Sequence, residues 1–173
     1  VGGQPDPEPT GEPHRFAKAD DPSYVTTSRK VSAPATLFST LENALDVPHT
    51  TFLHRGLFRS ESRGISITAH VTRTNDRVCV EYEGEPRPTG VIGRILSPSG
   101  GMVKHVDRFI LPSIAQVEYG IGAENHFLVD SVMTPVGDFL TDIYAVVSYR
   151  LRAFQGAIRP LLEPLALRVF GQD

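Results

Sequence analysis

Residues 42–54 read Glu42-Asn43-Ala44-Leu45-Asp46-Val47-Pro48-His49-Thr50-Thr51-Phe52-Leu53-His54, and place one asparagine, one aspartate and two histidines within twelve positions. Leading into and through this run, Leu37, Leu41, Ala44 and Leu45 recur at helical spacing, and Pro34 suits a helix start. Pro48 disfavours helical backbone at Val47, so the helix should end or break there and residues 49–54 should form an irregular turn. On a straight helix a five-residue separation sets the two imidazoles about 140° apart. With the chain broken at Pro48, both can reach one metal ion. Asp46 precedes His49 by three residues, one helical turn if the helix reaches that far. A carboxylate there can accept the imidazole's second N–H and fix the ligating tautomer. Two histidines and one carboxylate, with coordination positions left open, form the site type used for O2 activation at non-haem Fe(II).

Downstream of this run the chain turns β-rich. Residues 64–74 alternate Ile65, Ile67, Ala69 and Val71, and residues 76–85 alternate Val78, Val80 and Tyr82, with Asn75-Asp76 as a hairpin turn between them. Five glycines and three prolines over 84–101 read as a loop. Further strands are expected at 102–111, 115–121, 126–135 and 139–151, the last preceded by a turn at Gly137-Asp138. Residues 153–170 carry Phe154, Ile158, Leu161, Leu162, Leu165, Val169 and Phe170 at helical spacing, interrupted by Pro160 and Pro164, and so predict a kinked or broken helix. A helix, then antiparallel strands, then a C-terminal helix is an α+β layout, with helices gripping one face of a curved sheet.

Towards the N-terminus, residues 1–24 hold five prolines and three glycines and read as an extended linker or arm, with His14 solvated. The 173 residues suffice for one domain with a real core. A net charge of −3 gives no basic face for nucleic acid. Cys79 is the sole cysteine, which excludes an intrachain disulfide and a Cys-rich zinc or iron–sulfur site within this chain and makes the cytoplasm the default location. No apolar stretch approaches the roughly 20 residues of a membrane span, and residues 1–25 do not read as a signal peptide.

The run at 43–54 resembles the Asn-x2-Asp-x2-His-x4-His signature of Rieske ring-hydroxylating oxygenases. Asn43, Asp46, His49 and His54 match it with every spacing kept. Glu42, Leu45, Pro48, Phe52 and Gly56-Leu57-Phe58 also resemble the branch that includes pheophorbide a oxygenase. The resemblance implies a helix-grip (START/Bet v 1-like) catalytic domain over 26–173, with residues 1–25 as the linker that follows a Rieske domain. It implies mononuclear Fe(II) (Fe2+) held by His49, His54 and a carboxylate from a C-terminal helix, a position that Gln172-Asp173 resembles. By the same resemblance Asp46 bridges to the 2Fe-2S cluster of a neighbouring subunit, and Asn43 sits near the iron without ligating it. The chain has no Cys-x-His or Cys-x2-His pair. A piece of a longer protein is therefore expected, with the cluster in a preceding domain and the catalytic domain truncated at its C-terminus. Family partners would be O2, an apolar or aromatic small molecule, and a reductase or ferredoxin, within a homotrimer.

Two other readings compete. Helix-grip folds also serve as metal-free carriers of lipids, sterols or polyketides. A zinc hydrolase could use the same histidine pair, but Glu42 is the only nearby glutamate to act as its base. Asp138 reads as turn chemistry and Asp142 as the polar face of a strand. His70, His105 and His126 lie in strand-like runs and read as pocket wall or satisfied surface groups. Arg55, Arg59 and Arg63 read as a wet face or a docking edge for an adjacent domain, and Cys79 as a small core residue. Val, Leu, Ile, Phe and Tyr dominate 102–151, so an apolar or aromatic ligand is expected there.

Overall fold

A computed structural model of the chain describes residues 12–46, 67–84, 103–122 and 125–151. The alternating segments form seven strands: β1 (Val25–Ala33), β2 (Thr68–Arg73), β3 (Arg77–Glu83), β4 (Val103–Ile110), β5 (Ile114–Ile121), β6 (Asn125–Gly137) and β7 (Leu140–Arg150). Among the described residues one helix, α1 (Leu37–Leu45), follows β1. The sheet runs β1-β7-β6-β5-β4-β3-β2, antiparallel at every pairing. β2 to β7 thus pair in sequence order, and β1 closes against the last strand.

Strand bounds follow the sequence closely because β-branched and aromatic residues alternate on a pleated surface. The Asn75-Asp76 turn forms as expected, with Thr74 N–H donating to Arg77 O at 2.9 Å. The β6–β7 turn moves by one residue: Gly137 pairs with Leu140, so Asp138 and Phe139 make the turn. The ladder is irregular between Pro135 and Gly137, where proline has no N–H to donate.

α1 begins later than Pro34 suggested. Thr36 is its N-cap, and its hydroxyl accepts from Ser39 N–H at 3.1 Å, a cap that proline has no side-chain oxygen to make. The helix stops at Leu45, and Asp46 is already extended (φ −80°, ψ 96°), in keeping with the Pro48 that follows. Its apolar stripe lies on one end of the sheet: Leu41 packs with Ala115 and Met133, flanked by Leu37, Ala44, Leu45, Phe109 and Ile143. A second cluster, Ile121, Val147, Tyr149 and Leu151, occupies the other end. Strand alternation places both clusters on the same face.

The arm departs from expectation. Residues 12–24 turn through Ala19 N–H to Phe16 O and Tyr24 N–H to Asp21 O, and lie on the sheet face opposite α1. His14 is not solvated, because its imidazole faces the buried Asp130. The helix expected at 153–170 and most of the loop at 84–101 fall outside the described residues.

Candidate active site

Packing of α1 onto β4–β7 fixes where its last turn points, and that turn carries the first half of the polar signature. Asn43 and Asp46 are both exposed, at the end of the helix and just beyond it. α1 stops at Leu45, so Asp46 lies just beyond its last turn. His49, His54 and Asp173 lie outside the described residues, as do Arg55, Arg59 and Arg63. Among the described residues no group of three or more His, Cys, Asp or Glu side chains is placed to hold a metal ion.

Beside the end of α1 runs a groove of about 430 Å³, lined by Phe38, Leu41, Glu42, Leu45 and Phe109. Its lining is almost wholly apolar, as befits a site for an apolar molecule. Leu45 at its edge stands one residue before Asp46 and four before His49.

The sheet face beneath α1 continues from Phe109 in ordered rows. One cross-strand row reads Val71, Val80, Asp107, Val117, Val129 and Val147. The next reads Ala69, Tyr82, His105, Tyr119, Phe127 and Tyr149. Asp107 Oδ1 accepts from His105 Nε2 at 2.9 Å, and both residues are buried. The His105 ring stacks on Tyr82 at 4.6 Å and on Tyr119 at 4.1 Å. The sequence marks His105 as a pocket wall or a satisfied surface group and gives Asp107 no role. Its signal was parity: in Val103-Lys104-His105-Val106-Asp107-Arg108-Phe109, His105 and Asp107 occupy the positions that alternation assigns to the inward face.

The opposite face carries a chain of polar contacts closed at both ends by the arm. Tyr24 Oη lies 2.9 Å from His126 Nδ1, and His126 Nε2 lies 2.8 Å from Glu118 Oε1. Arg108 pairs with Glu118 Oε2 at 2.6 Å and donates to Gln116 Oε1 at 2.9 Å. Gln116 donates to Asp130 Oδ1 at 2.7 Å, and His14 Nε2 stands 3.5 Å from that oxygen, at ion-pair rather than hydrogen-bond distance. Burial alone would push the Glu118 carboxyl up, but the hydrogen bonds from His126 and Arg108 outweigh it and hold the group below its ordinary value.

The remaining sequence candidates are accounted for by surface chemistry. Asp142 accepts from Ser32 Oγ at 2.6 Å and pairs with Lys30 at 2.7 Å; Lys30 and then Ser32 lower its carboxyl. Asp138 is in the β6–β7 turn, exposed His70 pairs with Glu83 at 3.3 Å, and Cys79 is half-buried. Among the described residues no helix is long and apolar enough to cross a membrane.

The family model for the vanillate O-demethylase oxygenase C-terminal domain matches residues 33–173. A search of curated proteins returns no significant match. Among solved structures, dicamba monooxygenase bound to dicamba superposes with a TM-score of 0.71 at 14% identity, over 92% of this chain and 47% of that one. NdmA of Pseudomonas putida CBB5 with caffeine gives 0.65 at 19% identity, over 89% and 44%. NdmB of the same organism gives 0.67 at 15% identity, over 93% and 44%. At these identities the superpositions speak to the fold alone, and it is the fold expected from the sequence. The chain spans less than half the length of the solved proteins it matches.

Proposed function

The chain belongs to the family of vanillate O-demethylase oxygenase C-terminal domains, the catalytic domains of Rieske-type oxygenases, and from that premise we propose that it oxidises an apolar or aromatic small molecule at a mononuclear Fe(II) held by His49, His54 and Asp173. The observation that carries the proposal is the Asn43, Asp46, His49, His54 spacing, whose first two residues stand at the end of α1, where an apolar groove runs.

The donor set fits this metal. Two neutral imidazoles and one carboxylate leave coordination positions free, which zinc and calcium structural sites do not. Bound Fe(II) would supply the one-electron and O2 chemistry that no side chain provides. The chain's own residues do the rest. α1 delivers its C-terminal end to the rim of the groove and stops at Leu45, ahead of the histidines in sequence. Asp46 would orient an imidazole and face a neighbouring 2Fe-2S cluster. Asn43 would sit near the metal without ligating it. Leu41, Leu45 and Phe109 would exclude water and hold the ligand by its apolar surface. Electrons would come from a reductase or ferredoxin through a Rieske cluster in a preceding domain, in a homotrimer that sets Asp46 beside the partner's cluster. Hydroxylation, dealkylation and ring oxidation all fit a site of this kind. The caffeine and dicamba named in the solved relatives are small ring compounds of the size such a groove admits.

Anaerobic Fe(II) titration of the chain tests this reading, with His49→Ala, His54→Ala and Asp173→Ala alongside. One iron per chain, lost or sharply weakened in both histidine variants, is expected, and Asp173→Ala decides the third ligand. A folded chain that binds no iron points instead to a metal-free carrier, and preference for zinc over iron to a hydrolase.

A further inference from the structure

On the α1 face of the sheet, one row is valine from β2 to β7 except at β4, where it holds Asp107. Val80 and Val117 flank the carboxylate across the strands, and Phe109, which lines the groove, is its neighbour along the same face. Asp107 is 4% exposed. Among the described residues its one side-chain partner is His105 Nε2, at 2.9 Å. A carboxylate has room for about four hydrogen bonds, and taking one out of water is costly. Evolution of a valine at this position would remove that cost, so the acid's presence in an otherwise valine row calls for a use. Stacking between Tyr82 and Tyr119 holds the His105 ring, and through it the Asp107 carboxylate, in a fixed direction.

We propose that Asp107 is the polarity-reading residue of the pocket: an acceptor-only group in an apolar wall that selects aromatic substrates bearing an O–H or N–H donor. This rests on the α1 face being the substrate pocket. A ligand lying on the valine row meets apolar contact everywhere but one point, and at that point only a donor is rewarded. A molecule that presents an ether or carbonyl oxygen there sets a lone pair against the carboxylate's own lone pairs and is rejected.

The test uses two neutral probes that differ only at one group, guaiacol (2-methoxyphenol) and veratrole (1,2-dimethoxybenzene). Their affinities for the chain are compared by NMR titration, in the wild type, Asp107→Asn and Asp107→Leu. Guaiacol should bind about tenfold more tightly than veratrole, as a hydrogen bond to a charged acceptor warrants. The preference should fall to about threefold or less in Asp107→Asn and vanish in Asp107→Leu. Asn preserves the shape, so the experiment stands even if the leucine variant fails to fold. Equal binding of the two probes by the wild type, or an unchanged preference in Asp107→Asn, overturns the assignment while leaving the pocket intact. Failure of both probes to bind overturns the pocket reading, and this proposal with it. Iron binding, titrated separately, is unaffected by any of these results.

Discussion

His14 sets its Nε2 3.5 Å from Oδ1 of Asp130, a carboxylate that is 1% exposed in the middle of the sheet. The same oxygen accepts from Gln116, whose own carbonyl oxygen accepts from Arg108. A buried carboxyl group is thus met by Gln116 from β5 and by the arm at once. Asp130→Ala leaves the Gln116 amide without its acceptor inside the structure, a loss expected to cost about 2 kcal/mol. The urea midpoint should fall with an unchanged slope. His14→Ala removes only the arm's share and should cost under about 1 kcal/mol, while hydrogen exchange quickens at residues 15–24. If Asp130→Ala left the midpoint where it was, the buried pair would contribute nothing to the fold.

Glu118 links the arm to the sheet by a pH-dependent contact. Its carboxyl is held below the ordinary value of 4.5, with burial opposing the charge and the bonds from His126 and Arg108 overcoming it. A depressed carboxyl contributes stability above its unfolded-state pKa and loses it as pH falls through its folded-state value. Glu118→Gln should therefore be less stable than the wild type at neutral pH. The gap should close as the pH drops below the ordinary carboxylate value. Urea unfolding at a series of pH values reads the gap directly. A gap that stayed constant down to strongly acid pH would mean the carboxylate's charge plays no part.

Leu41 is 6% exposed and joins α1 to Ala115 and Met133, whereas Phe38, one turn earlier on the same helix, is 77% exposed. Leu41→Ala should cost about 3 kcal/mol, the lost transfer energy plus the cavity left behind. Phe38→Ser should stay within about 0.5 kcal/mol, as exposed sites do. Circular dichroism during urea unfolding measures both. Equal costs would show that α1 is not seated on the sheet through Leu41.

Much of this was legible in the sequence, for reasons that differ by element. The strands could be read because alternation such as Val78, Val80, Tyr82 reports a two-sided environment directly. The end of α1 could be read because Pro48 acts on local backbone sterics. Its start could not, since a proline two residues upstream competes with the side-chain cap at Thr36 and only the hydrogen bond decides. The docking of His14 was hidden because it depends on Asp130, far away in the chain, and composition alone made residues 1–24 look solvated. Burial on β2 was misleading in the other direction: Ala69 and Val71 alternate properly, yet the strand is an edge and Val71 is 65% exposed. Asp107 showed only as a polar residue at an inward position, a signal that gains meaning once the valines beside it in space are known.

Asp46 is exposed and extended, immediately beyond the last residue of α1. It therefore adds little to the fold, and Asp46→Asn should change stability by less than about 0.5 kcal/mol. Its effect should fall on the metal instead. A carboxylate that accepts the second N–H of a ligating imidazole fixes the tautomer and raises ligand basicity, and losing such a partner typically weakens metal binding about ten- to a hundredfold. Fe(II) titration of Asp46→Asn should retain one iron per chain at a correspondingly higher Kd, in contrast to His49→Ala and His54→Ala, where binding should collapse. If Asp46→Asn bound iron as tightly as the wild type, Asp46 would have no hold on either histidine. Its role would then reduce to electron transfer between subunits, to be sought in the reduction rate of the iron by a neighbouring cluster.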